Sequence, residues 1–239
     1  PRIHNLGDFI HGLPTISGFV KKYGKVSFGI CPRLKRFKGL TDLLIHQDLF
    51  TEVWFFGDRP FNSTNYMVVD EQMTDDGATV EPLVARRYYN FAKQNYNVDF
   101  DFDYDFELKV PFIESKNEEY IIGDRWSPSE APDVDDRRDS RLIESSGVVD
   151  NITTYYLDYN NEMMYNLSLI KYSSKPFITT ITGLSIIADL MKMDKKTYIL
   201  WGDDMRIWDG NPIEYVQRNH QWTNRNSEFV YIKDFKIND

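Results

Sequence analysis

Among 239 residues there is a single cysteine, Cys31. That excludes a disulfide framework within the chain and fits a reducing compartment. Long apolar runs are missing as well, so no membrane insertion is expected. The N-terminus lacks the basic-then-apolar plan of a secretory signal, and the expectation is a soluble cytoplasmic protein. Basic charge is scarce: 28 Lys and Arg face 37 Asp and Glu, a net charge of −9. General adhesion to nucleic acid or to an anionic membrane is thereby disfavoured, although a local basic cleft is compatible with it. The signatures of a P-loop, a dinucleotide fingerprint, a nucleophile elbow and a metal site are also absent.

What is present is apolar and aromatic. Hydrophobic residues make up 41% and aromatic residues 15%, enough for a packed core. The patterning predicts a helix over residues 8–23, weakened by Pro14 and Gly18, then a strand in KVSFGICP and an amphipathic helix in FKGLTDLLIHQDLF. EVWFFGD reads as a strand and ARRYYNFAKQNY as a helix. After residue 118 the rhythm resumes: strand EEYIIGDRW, a charged loop into a short helix, strand TTYYLDY, helix MMYNLSLIKYS, strand PFITT, helix GLSIIADLMKM and strand TYILWGD. Helices and strands in alternation predict parallel α/β layers. Pro111 and the polar ESKNEE stretch look like a linker near 107–118, which divides the chain into units 1–110 and 111–239.

The stretch richest in chemical implication is Thr182-Gly183-Leu184-Ser185. A buried strand turning directly into an apolar helix there leaves unpaired N–H groups and a positive dipole end aimed at one spot, suited to phosphate. The competing reading is a plain strand-to-helix turn capped by Thr182 or Ser185. The GDRW turn brings Asp124 and Arg125 to the end of a strand, where ligands sit in open α/β sheets. A guanidinium there can hold a diphosphate bidentately and stabilise charge on a leaving phosphate. Nearby Arg137, Arg138 and Arg141 are mixed with Asp133, Asp135, Asp136 and Asp139 and read as mutual surface pairs.

The opening loop offers Gly7, Asp8 and His11. Glycine lets backbone approach a ligand closely, and Asp8 is either a general base facing a cleft or the cap of the first helix. The run DFDFDYDF puts Asp99, Asp101, Asp103 and Asp105 on one face of a predicted strand, with Phe100, Phe102, Tyr104 and Phe106 on the other. Carboxylates two apart on a strand are roughly 7 Å distant, too far to share an ion as a calcium loop does. A solvated acidic face that discourages edge pairing is the reading adopted. Near the C-terminus, Trp222 and Arg225 have the chemistry to stack on a nucleobase, or Trp222 docks a terminal element.

LGDFIHGLP, ITGLSIIADLM and the GDRW turn, the last lying between the other two along the chain, resemble a family. They are similar to the N-terminal GD-x-x-x-x-LP loop, the D-T-G-x-S/P-H-L-A segment and the basic strand-end loop of the bacterial ADP-heptose lipopolysaccharide heptosyltransferases. Thr182, Gly183, Leu184, Ser185 and Ala188 carry the second match. The resemblance implies a GT-B architecture, two Rossmann-like domains facing across a cleft, with the N-terminal one reduced. It implies a nucleotide-diphosphate sugar as donor substrate and an acceptor glycan or modified nucleobase, with no metal and no other cofactor. Asp8 maps to the base for the acceptor hydroxyl, Arg125 to the group assisting the donor diphosphate, and Thr182 to Ser185 to the phosphate cradle. Gly7, His11 and Asp124 are further cleft candidates.

The departures from the pattern are specific. Ile181 stands where the family has an acid and Ile186 where it has histidine, removing two polar donor contacts. Only a stub around Arg2-Ile3-His4 precedes Gly7, and the chain is shorter than a typical two-domain member. Short proteins of this look also resemble products of tailed phages, in which case the location is the host cytoplasm. A non-catalytic nucleotide-binding or assembly protein on the same shell is the alternative.

Overall fold

A computed structural model describes residues 6–60, 66–69, 84–123, 142–158, 160–180, 183–202 and 226–237. The chain opens with two helices, α1 (Leu6–His11) and α2 (Leu13–Tyr23). The sequence predicts one helix here. Gly12 instead separates two, with Pro14 in the first turn of α2, where its missing N–H costs nothing. Strand β1 (Val26–Ile30), a 3₁₀ turn (Pro32–Arg36), α3 (Leu40–His46) and β2 (Phe50–Phe55) follow. β1 and β2 pair in parallel, with Phe28 opposite Val53 and Gly29 opposite Trp54. Helix α4 (Val84–Tyr96) then packs against α2.

The larger sheet is built from β3 (Tyr120–Gly123), β4 (Thr154–Tyr156), β5 (Phe177–Thr180), β6 (Thr197–Trp201) and β7 (Ser227–Tyr231). Its spatial order is β4-β3-β5-β6-β7, and every pairing is parallel. Helices α5 (Leu142–Ser146), α6 (Met163–Tyr172) and α7 (Gly183–Leu190) lie in the connections. Numbered within the sheet, the order is 2-1-3-4-5, a doubly wound arrangement whose direction reverses between β3 and β5. The protein is a mixed α/β structure with parallel sheets, as its rhythm predicts. β7 has no counterpart in that expectation, because SEFVY lies beside a polar stretch that masks it.

Side-chain alternation sorts the sheet's two faces. Ile121 and Phe177 point into one apolar cluster, and their neighbours Ile122 and Ile178 point into another. The first cluster is the larger. It joins Leu13 and Ile16 of α2, Leu43 and Leu44 of α3, Ile30 of β1, Leu167 of α6 and Ile187 of α7 into one core. The second lies under Ile143 of α5 and Phe235 near the C-terminus.

Two expectations about the middle of the chain need correction. Residues 97–112 alternate in sequence but form no strand. Phe100, Phe102, Phe106, Leu108 and Val110 are buried, and Phe100 and Phe102 pack on the rings of helix residues Phe19 and Tyr89. α2 approaches so closely that a Cβ on Gly18 would overlap the Asp101 carbonyl oxygen. Nor do the four aspartates share a solvated face. Asp99 pairs with Lys22 at 2.7 Å, whereas Asp103 is buried, accepting from Ser17 Oγ at 2.6 Å with Lys21 Nζ 2.7 Å away.

The stretch that reads as a linker is a strap tied down along its length. Gln47 mimics a strand partner: its Nε2 donates to the Lys109 carbonyl at 2.9 Å, and its Oε1 accepts from the Lys109 amide at 2.8 Å. Leu108 N donates to Leu190 O, and Tyr172 Oη to Val110 O. Ser168 Oγ accepts from the amides of Ile113 and Glu114 and donates to the Glu114 carbonyl. Beyond it, Lys116 N donates to Ser173 Oγ. The backbone groups of this segment are therefore satisfied by Gln47 and by side chains in and just after α6, so it is not a free connector.

Candidate functional site

The candidate site is assembled at the C-terminal ends of β3 and β5, the pair between which the strand order reverses. In doubly wound sheets the two connections leaving such a pair run to opposite faces and open a crevice between them. β5 ends at Thr180 and α7 starts at Gly183, so the connection is two residues long. The amides of Gly183, Leu184 and Ser185 therefore fall in the first turn of α7. Leu184 and Ser185 are both buried. Thr182 lies outside the described residues.

β3 ends at Gly123, and the next residues in the chain are Asp124 and Arg125, both outside the described residues. The exit from β3 is locked to β5. Thr179 Oγ1 donates to the Gly123 carbonyl at 2.8 Å, and a Cβ on Gly123 would come within 2.9 Å of that hydroxyl and 2.8 Å of the Phe177 ring. Gly123 and Thr179 are thus the residues that define where the loop after β3 begins. Sequence reasoning passed over them. The glycine preceding Asp124-Arg125 was the available signal.

The opening loop comes to the same corner. α1 and α7 are in extensive contact. A Cβ on Gly183 would lie 3.2 Å from the Gly7 nitrogen and 3.2 Å from Leu6 Cβ, and one on Gly7 would lie 2.6 Å from Ile186 Cδ1. The first turns of two helices therefore abut through two glycines, flanked by Leu6 and Ile186. Asp8 belongs to the first turn of α1 by its backbone. His11 ends that helix and is 1% exposed, in the interior and not on an open wall. Gly7, the Asp8 backbone and the start of the TGLS helix are thus brought together, while Leu6 closes one flank of α7's first turn.

The charged candidates of this corner are Asp8, Asp124 and Arg125, and the described helices add buried His11, Ser185 and Asp189. Among the described residues no three His, Cys, Asp or Glu side chains are grouped to hold a metal ion. No described helix is long and apolar enough to cross a membrane. Trp222 and Arg225, the stacking candidates near the C-terminus, lie outside the described residues. Compared with protein-family models, curated proteins and solved structures, the chain gives no match.

Proposed function

We propose that the chain is a metal-independent glycosyltransferase of GT-B type, transferring a sugar from a nucleotide diphosphate to an acceptor hydroxyl. One observation carries the reading. The candidate turns follow adjacent strands β3 and β5 at the reversal of strand order, and Gly7 of the opening loop packs on Gly183 at the same corner. In this mechanism Asp8 takes the acceptor proton as the hydroxyl attacks the anomeric carbon. The bond from that carbon to the diphosphate oxygen breaks, and the departing charge is met by Arg125 and the amides of Gly183 and Leu184. The two-domain arrangement, units 1–110 and 111–239, belongs to this proposal.

The test is a thermal-shift series with nucleotide sugars and plain nucleotides, followed by a transfer assay. A ligand present at a hundred times its dissociation constant adds about 2.7 kcal/mol of stability. A diphosphate-selective rise in Tm that disappears in Arg125→Ala supports donor binding. Donor turnover abolished by Asp8→Asn with binding intact supports catalysis.

A second reading, a non-catalytic nucleotide-binding or assembly protein on the same shell, is favoured by Ile186. Where the resembled family has a polar donor contact, this side chain lies against Gly7 and makes the α1–α7 seam apolar. Nucleotide-dependent stabilisation without donor turnover selects this reading, and no shift with any nucleotide rules out both forms of nucleotide binding.

A further inference from the structure

We propose that Arg33 and Arg36 form an anion site for a compact ligand carrying one or two phosphates. Residues 33–38, Arg-Leu-Lys-Arg-Phe-Lys, carry four cations and no acid in a chain of net charge −9. They leave the C-terminal end of β1 in the 3₁₀ turn Pro32–Arg36. That is the edge of a parallel sheet at which α/β proteins gather their ligands. The turn is firmly seated. Leu34 is fully buried, its amide donates to Cys31 O at 3.0 Å, and Phe37 N donates to Leu34 O at 3.0 Å.

Three residues complete one turn of a 3₁₀ helix, so Arg33 and Arg36 share a face about 6 Å apart along its axis. The lysines of the same stretch are occupied. Lys35 pairs with Asp58, and Lys38 lies 3.2 Å from Glu162. Neither arginine makes an ion pair among the described residues, and the Arg36 guanidinium is braced 4.9 Å from the Phe37 ring. Two planar guanidinium groups on one face of a rigid turn match phosphate oxygens bidentately.

The carboxylates on Lys35 and Lys38 set the size of the ligand. A nucleic-acid strand needs a basic track several phosphates long and would run onto Asp58 and Glu162. A compact ligand with one or two phosphates would not. Naming this ligand as the sugar acceptor rests on the transferase reading above. The anion site itself does not.

The experiment is titration calorimetry on the full chain with fructose 1,6-bisphosphate as probe. The proteins compared are wild type, Arg33→Gln/Arg36→Gln, Arg33→Lys/Arg36→Lys and Arg125→Ala. Expected are at least tenfold weaker binding in the glutamine pair, an intermediate loss in the lysine pair, and unchanged binding in Arg125→Ala. Both arginines are exposed, so an unaltered Tm serves as the check that the glutamine pair is folded. Undiminished affinity in the glutamine pair, no binding to wild type, or loss confined to Arg125→Ala each overturns the proposal. Tighter binding of a single-stranded oligonucleotide than of the bisphosphate overturns the ligand class. Failure of the transferase reading registers separately, as absent donor turnover, and leaves this titration to be judged alone.

Discussion

Gly183 faces Gly7 so closely that a methyl group on Gly183 would sit 3.2 Å from the Gly7 nitrogen. α1 and α7 can bring their first turns together only because neither residue has a side chain. The steric consequences differ at the two positions. At Gly7 the obstacle is the mobile end of Ile186, whereas at Gly183 it is the backbone and Leu6 Cβ.

Gly7→Ala should therefore cost about 1–2 kcal/mol through overpacking, read from the midpoint of urea unfolding. Removing Ile186 Cδ1 makes room, so Gly7→Ala/Ile186→Val should be less destabilised than the two single losses added together. A coupling of about 1 kcal/mol is expected for residues in contact. Strict additivity would mean that the two side chains do not meet.

Gly18→Ala should be the most damaging glycine substitution in the helices, because its methyl group would overlap the Asp101 carbonyl oxygen. A backbone atom yields less readily than a side-chain tip. A loss of about 3 kcal/mol, the upper end for overpacking, is expected. A loss below that of Gly7→Ala would refute the close approach of α2 to residues 100–103.

Asp103 and Lys21 test the corrected reading of the acidic run. The Asp103 side chain is 5% exposed and accepts from Ser17, whereas Lys21 is 64% exposed. Asp103→Ala removes a buried charged acceptor and should cost about 2 kcal/mol. Lys21→Ala removes one end of a solvated pair and should cost well under about 1 kcal/mol. Equal losses, measured by denaturant titration, would return Asp103 to a solvated face.

Gln47 holds the strap through both ends of its amide. Gln47→Ala leaves the Lys109 N–H and C=O without their protein partner and should cost about 2–3 kcal/mol. Hydrogen exchange at the Lys109 amide should accelerate in that variant. An unchanged exchange rate would show that the amide is protected by something else.

Lys195 supplies a pH dependence. Burial pushes its ammonium down from 10.5 to about 8, and its Nζ donates to the Ser173 carbonyl. Between these two values the unfolded chain holds a proton that the folded chain has released. Stability from this residue accordingly rises as pH climbs from about 8 to about 10.5, and the penalty of the buried charge is present in full below that window. Subtracting the stability profile of Lys195→Met from that of wild type should isolate a positive slope there, since other groups cancel. A flat difference would contradict the depressed value.

Much of the fold was legible because short-range periodicity is a local property. Ile121-Ile122 and Phe177-Ile178 read as strand because both faces of a parallel sheet are covered, and both of those faces are apolar here. The TGLS helix was visible in its apolar spacing and in the glycine at its start. The 97–112 segment was misread because alternation reports which side chains are buried, not whether the burying surface is a strand or a helix. Phe100 and Phe102 are buried as alternation requires, but helices do the covering: Tyr89 of α4 packs on both rings and Phe19 of α2 on Phe100.

The residues alone determined a parallel α/β rhythm, a negative surface and the candidate turns after PFITT and YIIG, since each follows from neighbours a few positions apart. Only the tertiary structure decided that β3 and β5 are adjacent at the reversal of strand order, that Gly7 meets Gly183, and that the apparent linker is bound to α6. Those are contacts between residues more than fifty positions apart. They are chosen by the shared burial of distant apolar faces and by backbone groups in search of partners, neither of which leaves a local mark on the chain.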